Sequence, residues 1–158
     1  MNQRKLIKLV VLGEPMGKQR PKFSTFNGYV KTYTQKETTN YENLVVYEYR
    51  THYDSMSFQP HEPIIAVINA FFQIPKSRYK HYKRTNTIEL DKQGKEMLEN
   101  KIRPTKKPDN DNIAKICLDA LNGIAYPDDS QVVGLYVNKY YSEEPRVEIN
   151  LWRYLWKL

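Results

Sequence analysis

Two acidic clusters stand out in a chain otherwise rich in lysine and arginine: Asp109-Asn110-Asp111-Asn112 and, a short way on, Asp128-Asp129. Hydrolysing a phosphodiester requires neutralising charge on the non-bridging oxygens and activating a water. Two or three carboxylates around Mg²⁺ supply both. Lys115 follows Asp111 by one helical turn on the same side, so its ammonium could steady a scissile phosphate held by such an ion. Asp119 continues that side by another turn, as a partner of Lys115 or as half of a helix-surface ion pair. Each residue also has a plain structural use. Asp and Asn ahead of a helix are ordinary N-caps, and Asp128-Asp129-Ser130 after Pro127 is ordinary turn chemistry. Their convergence is what points to catalysis. His52, His61 and His81 are scattered along the chain and receive no role.

These acids depend on the helix between them. Ile113, Ile116, Cys117, Ala120 and Leu121 fall on one face, which predicts a helix over Asn112–Asn122 ended by Gly123. Such a helix is about 16 Å long. The connection from Gly123 to Asp129 spans at most about 20–25 Å, so returning Asp129 to the helix start requires a nearly extended path. Elsewhere, strands are expected at Leu6–Leu12, Ile64–Ile74, Val132–Tyr141 and Arg146–Tyr154. A hairpin is expected from Phe23 to Thr34, turning at Asn27-Gly28. A helix should run from Gln35 to Tyr53, with Thr34-Gln35-Lys36-Glu37 as a capping box. The stretch from Lys76 to Lys107 holds eleven Lys and Arg against four Asp and Glu, and reads as one or two polar helices with a break near Gly94. Phe71 and Phe72 suit a core more than an interface. The sum is one α/β or α+β domain over residues 1–158, a mixed β-sheet packed with helices.

Composition narrows the classes. The chain has 158 residues, with 40% hydrophobic against 27% charged, which excludes wholesale disorder. Cys117 is the sole cysteine, ruling out intrachain disulfides and Cys-rich zinc sites and suiting the cytoplasm. No apolar run approaches the roughly 20 residues of a spanning helix, and Met1–Lys5 does not open a signal peptide. Twenty-five Lys and Arg against eighteen Asp and Glu leave a net charge of +7. That balance favours polyanions, nucleic acid first. An anionic membrane is the rival, but no basic amphipathic helix supports it.

The segment Lys107-Pro-Asp-Asn-Asp-Asn-Ile-Ala-Lys115, followed by Leu118-Asp-Ala-Leu121 and Asp128-Asp-Ser-Gln-Val132, resembles the core of the RusA family of Holliday junction resolvases. Gly13-Glu-Pro-Met-Gly-Lys-Gln-Arg-Pro-Lys22 is similar to that family's early basic motif. The likeness covers most of the chain and is weakest from Lys76 to Asn100. It implies a RusA-like fold and a small, homodimeric, Mg²⁺-dependent endonuclease that nicks four-way DNA junctions symmetrically, with Mn²⁺ a conceivable substitute for Mg²⁺. By position, Asp109, Asp111 and Asp129 become the metal ligands and Lys115 the catalytic lysine. Asp128 is the neighbouring candidate for the third ligand, and no residue marks the general base. Lys18, Arg20, Lys22, Lys106 and Lys107 become contacts to DNA phosphates, while Tyr79 and Tyr82 are more simply packed or solvent-facing than base-stacking. A bacterial, phage or prophage origin would suit such a protein. Two other readings stay open: a nucleic-acid-binding module without catalysis, and a metal-dependent phosphodiesterase acting on other substrates such as nucleotides.

Overall fold

Strand β1 (Leu6–Leu12) buries Ile7, Leu9 and Val11 and leaves Leu6, Lys8, Val10 and Leu12 exposed, the period-two pattern of a strand with one covered face. It pairs antiparallel with β8 (Arg146–Arg153), β8 pairs antiparallel with β4 (Ile64–Gln73), and β4 pairs parallel with β7 (Val132–Ser142). The resulting four-stranded sheet has the order β1-β8-β4-β7. It is the mixed sheet expected from the sequence, in a single α+β domain. The computed structural model describes residues 6–26, 29–33 and 35–155, with the backbone alone described for 23–26 and 29–33.

Helices α1 (Lys36–His52) and α3 (Asn110–Leu121) contribute to the core on the covered face. Tyr41, Val45 and Tyr49 of α1 meet Ile113, Ile116, Cys117 and Leu121 of α3 in one cluster with Ile7, Leu9 and Val11. The predicted hairpin is present as β2 (Lys22–Phe26) and β3 (Tyr29–Tyr33). Its turn at Asn27-Gly28 and the capping Thr34 lie outside the described residues. Gln35 is the N-cap of α1 and makes no side-chain cap bond. Phe72 is in the core, whereas Phe71 points to the uncovered face, stacked on Tyr140 at 5.1 Å with the Arg146 guanidinium 3.9 Å from its ring centre.

Two segments depart from expectation. After a short 3-10 turn at Lys76–Arg78, the basic stretch forms a second hairpin, β5 (Tyr79–Tyr82) with β6 (Thr87–Leu90), and then only one helix, α2 (Lys92–Leu98). β-Formers flank Asn86, whose φ of 51° supplies the left-handed residue of the turn. Gly94 is no break: it lies inside α2, where a Cβ would come within 2.9 Å of Leu90 and 3.2 Å of Arg78. The second departure follows α3. The Gly123 amide donates to the Tyr126 carbonyl at 2.8 Å, and Ile124 and Ala125 donate to the Leu121 carbonyl at 3.0 and 2.9 Å. These bonds coil a connection that had to be extended to carry Asp129 back to the helix start. Helix α3 also begins earlier than expected, with Asp109 as its N-cap.

Candidate functional site

The loop after β1 is pressed onto the start of α3. A Cβ on Gly17 would lie 2.6 Å from Pro108 Cβ and 3.0 Å from Asn112 Cβ, so only glycine permits this approach. The Lys18 amide donates to the Asn112 carbonyl at 2.8 Å. The Lys18 ammonium pairs with Glu42 of α1 and, at 3.0 Å, with Asp119 of α3. Burial alone would lower its pKa, but the hydrogen bonds and charges of these two carboxylates outweigh that and raise it. Lys18 therefore ties loop, α1 and α3 together, and Asp119 serves Lys18 rather than Lys115. Nothing in the sequence pairs Lys18 with Glu42, since the two meet only through the packing of α1 on α3.

Beside this junction opens a cleft of about 490 Å³, lined by Lys18, Arg20, Lys107, Asp109 and Asn112. Asp109 and Asp111 flank the first turn of α3, both exposed, and Lys115 is exposed one turn on. Although Asp109 is the N-cap, its side chain makes no capping bond. The ion pairs and side-chain hydrogen bonds among the described residues leave Asp109, Asp111, Lys115 and Asp129 unengaged. Asp128 is different. It accepts from the Ser130 amide at 2.8 Å and forms a capping box with Gln131 on the 3-10 turn Asp129–Gln131, and the bonds to Ser130 hold its pKa below the usual carboxylate value. Of the adjacent pair, Asp129 is thus the one whose carboxylate is available.

The trio is not assembled into a cage. Among the described residues, no group of three or more His, Cys, Asp or Glu side chains is placed to hold a metal ion. Strand β7 shows why. Asp129 lies just ahead of its first residue, Val132, whereas Asn110 of α3 bonds the Val137 carbonyl at 3.2 Å and Lys139 bonds the Pro108 carbonyl at 3.0 Å. About 16 Å of strand, at ~3.3 Å per residue, separates Val132 from Val137. Asp129 sits instead within electrostatic reach of the buried Tyr126, whose hydroxyl donates to the Leu118 carbonyl at 2.9 Å. Burial raises the pKa of that phenol most, and the Asp129 charge adds to the rise. The donor chemistry nevertheless suits a hard cation. Mg²⁺ commonly takes only one or two protein carboxylates and completes its shell with water and substrate phosphate, and Asp109 with Asp111 provides such a pair.

Of the other expected phosphate contacts, Arg20, Lys22, Lys106 and Lys107 are all exposed. Lys106 and Lys107 directly precede Pro108 and Asp109, and Arg20 and Lys107 line the cleft together. Arg103 and Lys139 escaped the sequence reading. Arg103 lies 4.0 Å over the Tyr140 ring and donates to the Lys139 carbonyl at 3.1 Å, which fastens the 101–109 segment along β7.

Comparison with known proteins bears on the same residues. The chain is similar to "Uncharacterized protein YqaN" of Bacillus subtilis (strain 168), with 37% identity over 144 residues covering 90% of this chain and 93% of the relative. The family model described as "Endodeoxyribonuclease RusA" matches residues 13–152, from the basic loop through Trp152 of the last sheet strand. The cleft and both acidic clusters fall inside that match, and the chain belongs to the RusA endodeoxyribonuclease family.

Proposed function

We propose that the protein is a Mg²⁺-dependent endodeoxyribonuclease that resolves four-way DNA junctions by paired, symmetric nicks. The observation that carries this reading is the group of exposed, unengaged charges at the start of α3, Asp109, Asp111 and Lys115, with Asp109 lining a cleft that Arg20 and Lys107 also line, in a chain of this family. Asp109 and Asp111 would hold the ion, and Asp129, set apart from them here, would join as a third ligand only by a shift of the connection over 123–131. Bound there, Mg²⁺ would supply charge neutralisation at the phosphate and a more acidic water. Lys115, one turn from Asp111, would place its ammonium on a non-bridging oxygen as charge develops. Arg20, Lys22, Lys106 and Lys107 would grip flanking phosphates. Lys18 would act through the loop it anchors, since its own charge is shared by two carboxylates.

Paired nicks need two copies, and a homodimer suits the approximate twofold symmetry of a junction. Support comes from the sheet face that carries Leu6, Val10, Leu12, Ile65, Tyr136 and Trp152, over which no helix lies among the described residues.

The test is a four-way junction assay with and without Mg²⁺, mapping nicks on all four strands. Asp111→Asn should lower cleavage by about 100-fold or more while retaining junction binding in EDTA. Asp129→Asn, assayed alongside, decides whether the third acid belongs to the set: cleavage at the wild-type rate removes it. Random or one-sided nicks would overturn paired resolution. The unassembled trio favours a second reading, a DNA-binding module without catalysis, which predicts binding but no metal-dependent nick. Competition of labelled junction by mononucleotide rather than by DNA would instead indicate a phosphodiesterase acting on nucleotides.

A further inference from the structure

The β5–β6 hairpin forms a two-stranded sheet of its own, separate from the four-stranded sheet. From Lys76 through Ile88 it carries Lys76, Arg78, Lys80, Lys83 and Arg84 and no acid. This differs from an ordinary solvated face. On the neighbouring α2 segment the charges alternate in sign and pair locally, Lys92 with Glu96 and Lys101 with Glu99. At the hairpin, among the described residues, only Arg78 is drawn into such a pair, with Asp91 at 3.3 Å. Lys80 donates to the Ser77 carbonyl at 3.2 Å, and its cross-strand neighbour is Glu89. Lys83 and Arg84, at the tip, lie outside the ion pairs among the described residues. Apolar groups accompany them, with Ile88 68% exposed and Tyr82 48%.

The hairpin is also held firmly at its base and shaped at its tip. Arg78 reaches Asp91 and Gln93, the Asp91 amide donates back to the Arg78 carbonyl at 2.8 Å, and Gly94 of α2 packs against Leu90 and Arg78. The Tyr79 hydroxyl reaches Glu143, beyond the end of β7, at 3.4 Å. At the tip, Thr85 Oγ1 lies 2.8 Å from Thr87 Oγ1, and His81 Nε2 lies 3.2 Å from Asn86 Oδ1.

Topology sets its direction. Strands β1, β4 and β7 run the same way, because β8 is antiparallel to both β1 and β4 while β4 and β7 are parallel. The basic loop leaves the end of β1 and the hairpin follows the end of β4, so both emerge from the same end of the sheet. The Lys106–Asp109 segment is fastened toward that end through Lys139 of β7.

We propose that the β5–β6 hairpin is a second DNA contact, a basic β-ribbon whose Lys80, Lys83 and Arg84 hold the phosphates of a duplex arm next to the cleft. A two-stranded ribbon fits the width of a B-DNA major groove, and unpaired cations bind phosphates by counterion release. The inference rests on DNA being the substrate, as proposed above, but its test reads binding without cleavage.

The double variant Lys83→Gln/Arg84→Gln is compared with wild type by fluorescence anisotropy on a labelled four-way junction and a linear duplex, in EDTA over a NaCl series. The expected result is a Kd weakened about 5- to 20-fold near 0.1 M salt, with the slope of log K against log salt shallower by roughly 2. Wild-type Kd and slope in the variant would overturn the hairpin's role while leaving the nuclease reading intact. Wild type that binds neither DNA would overturn both, whereas wild type that binds but never nicks removes only the catalysis. If the double variant melts early, Lys83→Gln alone replaces it, with a slope change of about 1 expected. Binding of wild type to anionic lipid vesicles in preference to DNA would also overturn the proposal.

Discussion

Lys18 shows how much one side chain can organise. Its ammonium satisfies Glu42 and Asp119 together while its amide fixes the loop to Asn112. Replacing it with methionine leaves two carboxylates facing each other, and Lys18→Met should lower stability by about 1–2 kcal/mol, read by thermal melting at pH 7. Because the folded pKa is raised, the lysine's contribution is complete below its usual value of 10.5 and fades as pH rises through the folded-state value. The gap between wild type and variant should therefore hold from pH 6 to 9. Cys117 gives an independent check of the core. Complete burial pushes its thiol pKa up to about 12, so a disulfide reagent at pH 8 should leave the native protein unmodified and titrate one thiol after denaturation. Residue types made the acids and Lys115 legible in the sequence. The partners of Lys18 were not, because Glu42 and Asp119 reach it only once two helices, distant in sequence, have packed.

Among the elements, the loop after β1 is the most constrained. Gly17→Ala places a methyl within 2.6 Å of Pro108 and 3.0 Å of Asn112, so the loop must lift from α3 and carry Arg20 away from Asp109. Junction cleavage should fall about 10-fold or more, as small misplacements at reactive centres do, with thermal stability lowered far less than by a core deletion. Strands β1 and β4 were readable as short apolar, β-rich runs, β7 and β8 from their alternation, and both long helices from apolar residues at helical spacing. The stretch from Lys76 to Lys107 was not. Its polarity gives no apolar period, and the β-preference of Tyr79–Tyr82 and Thr87–Leu90 is expressed only as those strands pair. The path after α3 departs from an extended one for a related reason. Nothing in Gly123-Ile-Ala-Tyr126 announces that Tyr126 will bury itself and bond Leu118, and that burial holds Asp129 near the far end of the helix.

For the whole molecule, the uncovered sheet face and the proposed homodimer stand or fall together. Sedimentation at micromolar concentration should give twice the 18.8 kDa of the chain. Val10→Lys, at the centre of the exposed side of β1, should return it to one copy without altering its melting temperature by more than a few degrees. The sheet order has a further consequence, for synthesis. Strand β8 lies between β1 and β4, so during synthesis β1 has no neighbour in the sheet until Arg146–Arg153 has emerged. Until then β1 and β4 present bare hydrogen-bonding edges and unburied valine, leucine and isoleucine. A chain stalled before Arg146 would be a sticky nascent intermediate rather than a smaller folded one, and a natural client for chaperones.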